Sequence, residues 1–467
     1  MSEIWRIFSG LDFRPNAQSE LHQHRNCDEH GNGYQESYGK LTDAHSDDLK
    51  NLYATIASPS WRRFNLSMYS PENLAKIAEL AKNSSQPFYV FSLAQIEERC
   101  TALRESLPHD VDLFFSLKAN SHPLIVATMK KMGILADVAS AGELKVALEA
   151  GFTGSEIEFT GPGKTTVELA LALQNDVQSI IVESLAELQS LDRLAKASGK
   201  SAQVHVRINP KSKVNASGRL IENESSQFGI DEEGGIDFMK ASKSLANVQL
   251  CGLHLHSQSH ILSLDHAVAN YKFGVTAAKN FANKNETLLA IVNLGGGIGV
   301  PYASGQSPIE AREFGRVISE FIATVRCSKN LAKTRFRFEL GRFLCAEAGA
   351  FVTRVLYRKT SRGTSYVITD GGFTQCQIAT GSGQLVRRNL PLRVISNQSA
   401  KKDFVARNEL VTIAGPSCYG MDIIATKINL PEIHLGDLIC VENVGAYGYS
   451  FSPKDFLRQQ PANEYFI

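Results

Sequence analysis

Hydrophobic positions in the middle of this chain come in short, recurrent runs. Eight of them follow one another: LFFSLK, LADVAS, IEFTGP, SIIVES, VHVRIN, LCGLHLHS, AIVNLGGG and RFRFELG. Each has the length and the β-branched or aromatic content of a buried strand. Between them lie segments with helical spacing of apolar residues, such as AGELKVALEAG and SLAELQSLDRLAKASG. Eight strands alternating with helices predict a (β/α)8, TIM-like barrel. A doubly wound sheet is the alternative for the same alternation, but it usually has fewer strands and carries a nucleotide fingerprint. Upstream, SPENLAKIAELAKNSS predicts a helix with Ser70 as N-cap ahead of Pro71, and PFYVFS reads as a strand.

After Arg342 the helical rhythm fades. FVTRVLYRK, SYVITDGG, ELVTIAGPSC and LGDLICVENVGAY are β-patterned with Gly and Pro turns, which predicts a second, all-β domain. The expected organisation is a barrel over residues 87–345 and a C-terminal β-sandwich or β-barrel domain over 346–467, the latter joined by the strand near 87–92. Residues 1–68 form an N-terminal extension of unknown role.

Composition narrows the class. With 467 residues, 43% hydrophobic, 21% charged and a net charge of +1, the chain can bury a large core and has no electrostatic bias toward nucleic acid. No apolar run approaches the ~20 residues of a membrane span. The opening MSEIWRIFSG lacks a basic segment followed by a hydrophobic one, so the expected location is cytoplasmic. Eight cysteines are scattered without a CxxC pair, against a zinc ribbon or a disulfide framework. HQHRNCDEH, from His22 to His30, offers metal-ligand residue types, but its spacing matches no structural zinc class. A solvated surface segment and no metal site are expected there.

The chemistry begins at FFSLKAN, where an apolar run ends on Lys118 with no carboxylate inside the stretch. An apolar wall lowers a lysine pKa and leaves a nucleophilic amine able to form a Schiff base. A strand-end lysine can instead snorkel into solvent, and its spatial neighbours decide between the two. Barrel active sites lie at the C-terminal strand ends. There the order of strands delivers Lys118, Asp137 with Glu143, Arg207, His256, the glycines Gly295, Gly296 and Gly297, then Glu339 and Arg342. LGGGIGVPY lacks full GxGxxG spacing and meets Pro301 early, so it suits a monophosphate better than a dinucleotide. Arg342 can add a bidentate grip, although a tight turn and a surface ion pair are the plain alternatives. A Schiff-base lysine, a phosphate site, a histidine and a carboxylate at one mouth predict pyridoxal 5′-phosphate. Asp137 and Arg207 are further expected contacts, and Glu339 is the candidate carboxylate to face the pyridine nitrogen and keep it protonated.

SLKAN, DVASAGEL, VRINP, QFGID, GLHLH, LGGGIGVPY, ELGR, AGPSCYGMD and GAYGYSFSP occur in this order between about Pro87 and Pro453. Together they resemble the barrel-type, fold type III (alanine racemase-like) pyridoxal-phosphate decarboxylases of the diaminopimelate and ornithine decarboxylase family. The resemblance implies Lys118 as the amine that holds the cofactor, His256 stacked on its ring and Glu339 on its pyridine nitrogen. It implies Ser259, Gly295 to Gly297, Arg342 and Tyr447 around the phosphate. It further implies that Cys418, from the β domain of a partner subunit, protonates the carbanion after carbon dioxide leaves, so that the active unit is a homodimer.

Three stretches depart from the family pattern. ELGR replaces EPGR, HSQSH replaces HIGSQ with Gln258 at a usual glycine, and CYGMD carries Tyr419 where relatives place a carboxylate for a distal ammonium. The last departure weakens the free diamino acid reading, and SLKAN, DVASAGEL, VLYRK and GAYGYSFSP resemble decarboxylases that act on a carrier-protein-tethered amino acid in antibiotic assembly. The reading is therefore a decarboxylase of an amino acid, free or carrier-bound, of secondary metabolism. Alternatives are a free diamino acid decarboxylase, a racemase, in which an arginine would face the pyridine nitrogen, and a non-catalytic cofactor carrier. Arg387 in LVRRNLPL is a candidate for a substrate carboxylate, with a solvated surface charge as the alternative.

Overall fold

The computed structural model describes residues 68–214, 220–303, 305–380, 389–396 and 408–467. The candidate metal ligands from His22 to His30, and Arg387, lie outside the described residues. The chain enters through the helix Pro71–Asn83, whose N-cap Ser70 accepts the Asn73 N–H at 3.2 Å. Strand β1, Phe88–Phe91, follows and is buried at every position.

The barrel consists of β2 (Val111–Ser116), β3 (Leu135–Val138), β4 (Ile157–Phe159), β5 (Ser179–Val182), β6 (Ala202–Asn209), β7 (Val248–His254), β8 (Ile291–Asn293) and β9 (Arg335–Leu340). Each pairs in parallel with the next, and β9 returns to β2 with Glu339 opposite Phe114, which closes the ring. Strand β2, VDLFFS, is buried throughout because one face points into the barrel and the other against helices. Helices start soon after the strands end, and several use one device. Ser140, Thr165 and Ser184 cap helices whose third residues are Glu143, Glu168 and Glu187, so each hydroxyl accepts an otherwise unpaired backbone N–H.

Beyond the barrel, β10 (Gly349–Ser361), β11 (Thr364–Thr369), β12 (Leu392–Ile395), β13 (Asn408–Ala414), β14 (Ile423–Pro431), β15 (Leu438–Val441) and β16 (Asn463–Phe466) build a second sheet. Its order is β12-β15-β10-β11-β13-β14, with β1 added on β10 and β16 on β1. The early half of β10 pairs with β1 and β15 and the later half with β11, so one long strand serves two layers. Parallel pairs β11–β13 and β1–β16 make the sheet mixed.

The loop after β15 joins the two bodies where the site forms. Tyr447 N–H donates to Ala119 O at 2.7 Å, Asn120 Nδ2 to Gly445 O at 2.9 Å, and Asn443 Nδ2 to Pro301 O at 2.9 Å. Among the described residues, no helix is long and apolar enough to cross a membrane.

Candidate active site

A cleft opens at the C-terminal ends of the barrel strands. Lys118, His256, Ser259 and Gly297 line it, with Glu339, Arg342 and Tyr447 on its other walls. Lys118 stands just beyond β2 on the single 3-10 turn Leu117–Ala119 and is accessible from the cleft, with protein packed around its other sides. The expectation of a lysine in an apolar wall is corrected here, because neighbouring strands supply the missing carboxylates. Burial opposes the ammonium charge, but Asp137 on β3 and Glu339 on β9 outweigh it and hold the group above its ordinary range.

Glu339 is the most constrained group of the site. Its Oε1 lies 2.9 Å from His254 Nε2 and accepts from Asn293 Nδ2 at 2.7 Å. Burial would raise its pKa, yet His254 and then Lys118 reverse the effect and keep it ionised well below the usual carboxylate range. Asn293 also donates to Glu158 Oε1 at 2.9 Å and accepts the Gly295 N–H at 2.8 Å, tying Glu339 to the glycine loop. Asp137, Glu158 and Glu339 bring carboxylate oxygens within 4.8 Å of one another. Burial, followed by repulsion from Glu339, pushes the Asp137 and Glu158 carboxyls up. The Thr160 hydroxyl donates to Asp137 Oδ1 at 2.7 Å.

His256 lies two residues past β7. Gly296 N–H approaches its Nδ1 at 3.4 Å, and its Nε2 is 3.4 Å from Ser259 Oγ, which suits the tautomer protonated on Nε2. Burial, then the Lys118 charge, push the imidazole down to about 3, so the ring is neutral at physiological pH.

The glycine loop turns through positive φ at Gly295 (66°) and Gly297 (89°). A Cβ on Gly296 would run into the Glu339 carbonyl, so glycine is what allows this loop to lie against β9. Arg342 Nη1 donates to Tyr302 Oη at 2.5 Å, and its guanidinium sits 4.6 Å from the Tyr447 ring centroid. These donors suit a small cofactor with an aldehyde, a ring nitrogen and a phosphate. The set offers one amine, one ionised buried carboxylate, a neutral ring, a guanidinium and a glycine turn, which fits pyridoxal phosphate.

Other expected residues are not part of the cleft lining. Arg207 is paired with Glu183 at 3.2 Å and lies over Phe228 at 4.5 Å, and it does not line the cleft. Glu143 accepts the Ala139 N–H at 2.7 Å at its helix start, and burial raises it to about 6. Cys418 and Tyr419 are exposed on the loop between β13 and β14 and do not line this chain's cleft. Tyr419 packs against Phe373 with ring centroids 4.7 Å apart and against Phe456 at 6.5 Å. Sequence reasoning passed over His254, Asn293, Glu158 and Tyr302. The alternation in GLHLH, which repeats a histidine two residues before His256, was the available signal for the first.

Comparison with known proteins gives a consistent picture. The family model described as pyridoxal-dependent decarboxylase, pyridoxal binding domain, matches residues 93–346. The L-glutamyl-[BtrI acyl-carrier protein] decarboxylase of Niallia circulans is 36% identical, covering 82% of this chain and 89% of that protein. The 2-[(L-alanin-3-ylcarbamoyl)methyl]-2-hydroxybutanedioate decarboxylase of Staphylococcus aureus is 32% identical, covering 82% and 94%. The crystal structure of diaminopimelate decarboxylase from Helicobacter pylori complexed with L-lysine superposes with a TM-score of 0.72 at 26% identity, covering 84% and 94%.

Proposed function

Because this chain belongs to the pyridoxal-dependent decarboxylase family, we propose that its substrate is an amino acid linked through its side chain to an acyl-carrier protein. The carboxylate that departs is the α-carboxylate, so a thioester to a carrier has to run through a side-chain carboxyl. The observation that carries this reading is Tyr419, a neutral phenol beside Cys418, packed with Phe373 and Phe456 into an aromatic cluster. A distal ammonium gains about 1.5–3 kcal/mol from each charged hydrogen bond to a carboxylate, and a phenol does not supply that ionic part. The Niallia relative is named for a glutamyl group on a carrier protein, and the Staphylococcus relative for an alanyl group joined through a carbamoyl link. Both names fit a side chain that continues into a larger acyl group.

When bound, pyridoxal phosphate supplies an electron sink for the pair left behind as the α-carboxylate departs. In this reading Lys118 would hold the cofactor through its amine. Glu339, kept ionised by His254 and then Lys118 and positioned by Asn293, would hold a proton at the ring nitrogen. Neutral His256 would cover one face of the ring without adding a competing charge. Ser259, the glycine loop, Arg342 and Tyr447 take the phosphate. Cys418 belongs to the neighbouring site of a homodimer, where its thiol returns a proton to the α-carbon. Its exposure, away from its own chain's cleft, supports a role across an interface.

The test compares carbon dioxide release from a γ-glutamyl-carrier thioester with release from free glutamate, ornithine, lysine and diaminopimelate. Preference for the carrier-bound substrate is expected. Preference for a free diamino acid transfers the assignment to the plain diamino acid decarboxylase reading.

A further inference from the structure

His260 lines the same cleft, four residues past His256, and its backbone lies in the left-handed region with φ 65°. A non-glycine residue keeps that conformation where its surroundings over-determine it, and such outliers gather at functional sites. The surroundings are visible on both sides. Ile261 N–H donates to Gly297 O at 2.8 Å, and Gly299 N–H donates to Ile261 O at 2.8 Å, which laces this loop to the glycine loop. A Cβ on Gly299 would lie 2.8 Å from His260 Nδ1, so the imidazole is packed against that backbone.

The ring is also stacked. Its centroid is 5.3 Å from that of Tyr302 with 10° between the planes. Tyr302 accepts the hydrogen bond from Arg342 at 2.5 Å, and the guanidinium lies 5.2 Å from the Tyr302 centroid and 4.6 Å from that of Tyr447. His260, Tyr302, Arg342 and Tyr447 therefore form a chain of contacts between planar groups along one wall of the cleft. A guanidinium gripped by two rings has fewer orientations to lose when it meets a phosphate.

We propose that His260 is a positioning residue for the cofactor phosphate: its ring holds Tyr302, and Tyr302 holds Arg342 toward the phosphate. The proposal rests on the assignment of Arg342 to the phosphate made above. It concerns a residue at which this chain reads HSQSH, and it gives the strained backbone at His260 a purpose.

The test titrates the full-length, cofactor-free protein with pyridoxal phosphate and, separately, with pyridoxal, which lacks the phosphate. His260→Gly removes the ring while suiting the left-handed backbone, so thermal stability of the cofactor-free protein should hold. Pyridoxal phosphate should then bind about threefold to tenfold more weakly, the range of one ring contact, and pyridoxal should bind as before. His260→Phe, which keeps a flat ring, should recover most of the loss. Equal weakening of both ligands, or no weakening of either, would overturn the proposal. Arg342→Ala separates the two layers of the argument. If it leaves the preference for pyridoxal phosphate over pyridoxal intact, the phosphate assignment itself falls. If it abolishes that preference while His260→Gly leaves it unchanged, His260 alone is wrongly assigned.

Discussion

Replacing Glu339 by Gln removes one charge and little volume at the point where the site is most tightly built. Glu339 is 5% exposed, and its Oε1 is engaged by His254 at 2.9 Å and Asn293 at 2.7 Å. With Gln, the amide oxygen keeps those two neighbours and the amide nitrogen takes the remaining direction, toward the cofactor ring. A ring nitrogen facing an N–H donor has no reason to hold a proton. A carboxylate at a hydrogen-bond distance of about 3 Å from a protonated ring contributes roughly 5 kcal/mol at an effective dielectric of about 20. A neutral hydrogen bond returns about 1 kcal/mol of it. The net loss of about 3–4 kcal/mol, expressed in the step that needs the electron sink, lowers kcat by about 10²–10³-fold. Cofactor affinity, carried mainly by the phosphate contacts and Lys118, should change much less. Steady-state carbon dioxide release, with parallel titration of cofactor binding, gives both numbers. A variant within about threefold of wild-type kcat would refute the electron-sink role of Glu339.

Lys118→Ala should lose borohydride-trapped cofactor while the other substitutions retain it, measured by intact mass; a trapped adduct in Lys118→Ala would mean another amine holds the cofactor. His256, at about 3 in the fold, lies below its unfolded value of about 6.5, so its neutral form contributes stability above about pH 6.5 that is lost as pH falls toward 3. Urea unfolding of the cofactor-free protein at pH 7 and pH 5 should show a larger drop for wild type than for His256→Asn, and equal drops would contradict the neutral assignment. Mixing Lys118→Ala and Cys418→Ala proteins under subunit exchange should restore activity in about a quarter of sites, the statistical share for a two-fold dimer whose sites draw on both chains. No recovery would place Cys418 outside a shared site.

What the sequence revealed, and what it hid, follows from how far apart the interacting residues stand. The barrel was legible because each strand carries its own apolar run, and the helix start at Ser70 because its cap lies three residues from the N–H it accepts. Lys118, His256, Glu339 and Arg342 could be read together because barrel topology carries successive strand ends to one mouth. Their electrostatics were not legible. The ammonium of Lys118 answers to Asp137 and Glu339, on the two strands that flank β2, and this reverses the direction an apolar wall alone would give. Arg207 reads as a cofactor contact by position, but Glu183 on the adjacent strand end claims its guanidinium. Asn293, in an apolar strand ahead of three glycines, gives no local sign that it bridges Glu158, Glu339 and Gly295.

The most direct measurement of the central claim follows carbon dioxide release and the mass of the acyl group when wild type and Tyr419→Glu are offered a γ-glutamyl-carrier thioester and free diaminopimelate. Wild type should decarboxylate the carrier-bound substrate with the higher kcat/KM, converting it to an aminoacyl group lighter by one carbon dioxide. Tyr419→Glu should shift the ratio toward the free diamino acid, by about tenfold or more if one charged hydrogen bond forms. Wild-type preference for diaminopimelate, with a carrier-bound glutamyl group left unchanged, would contradict the account.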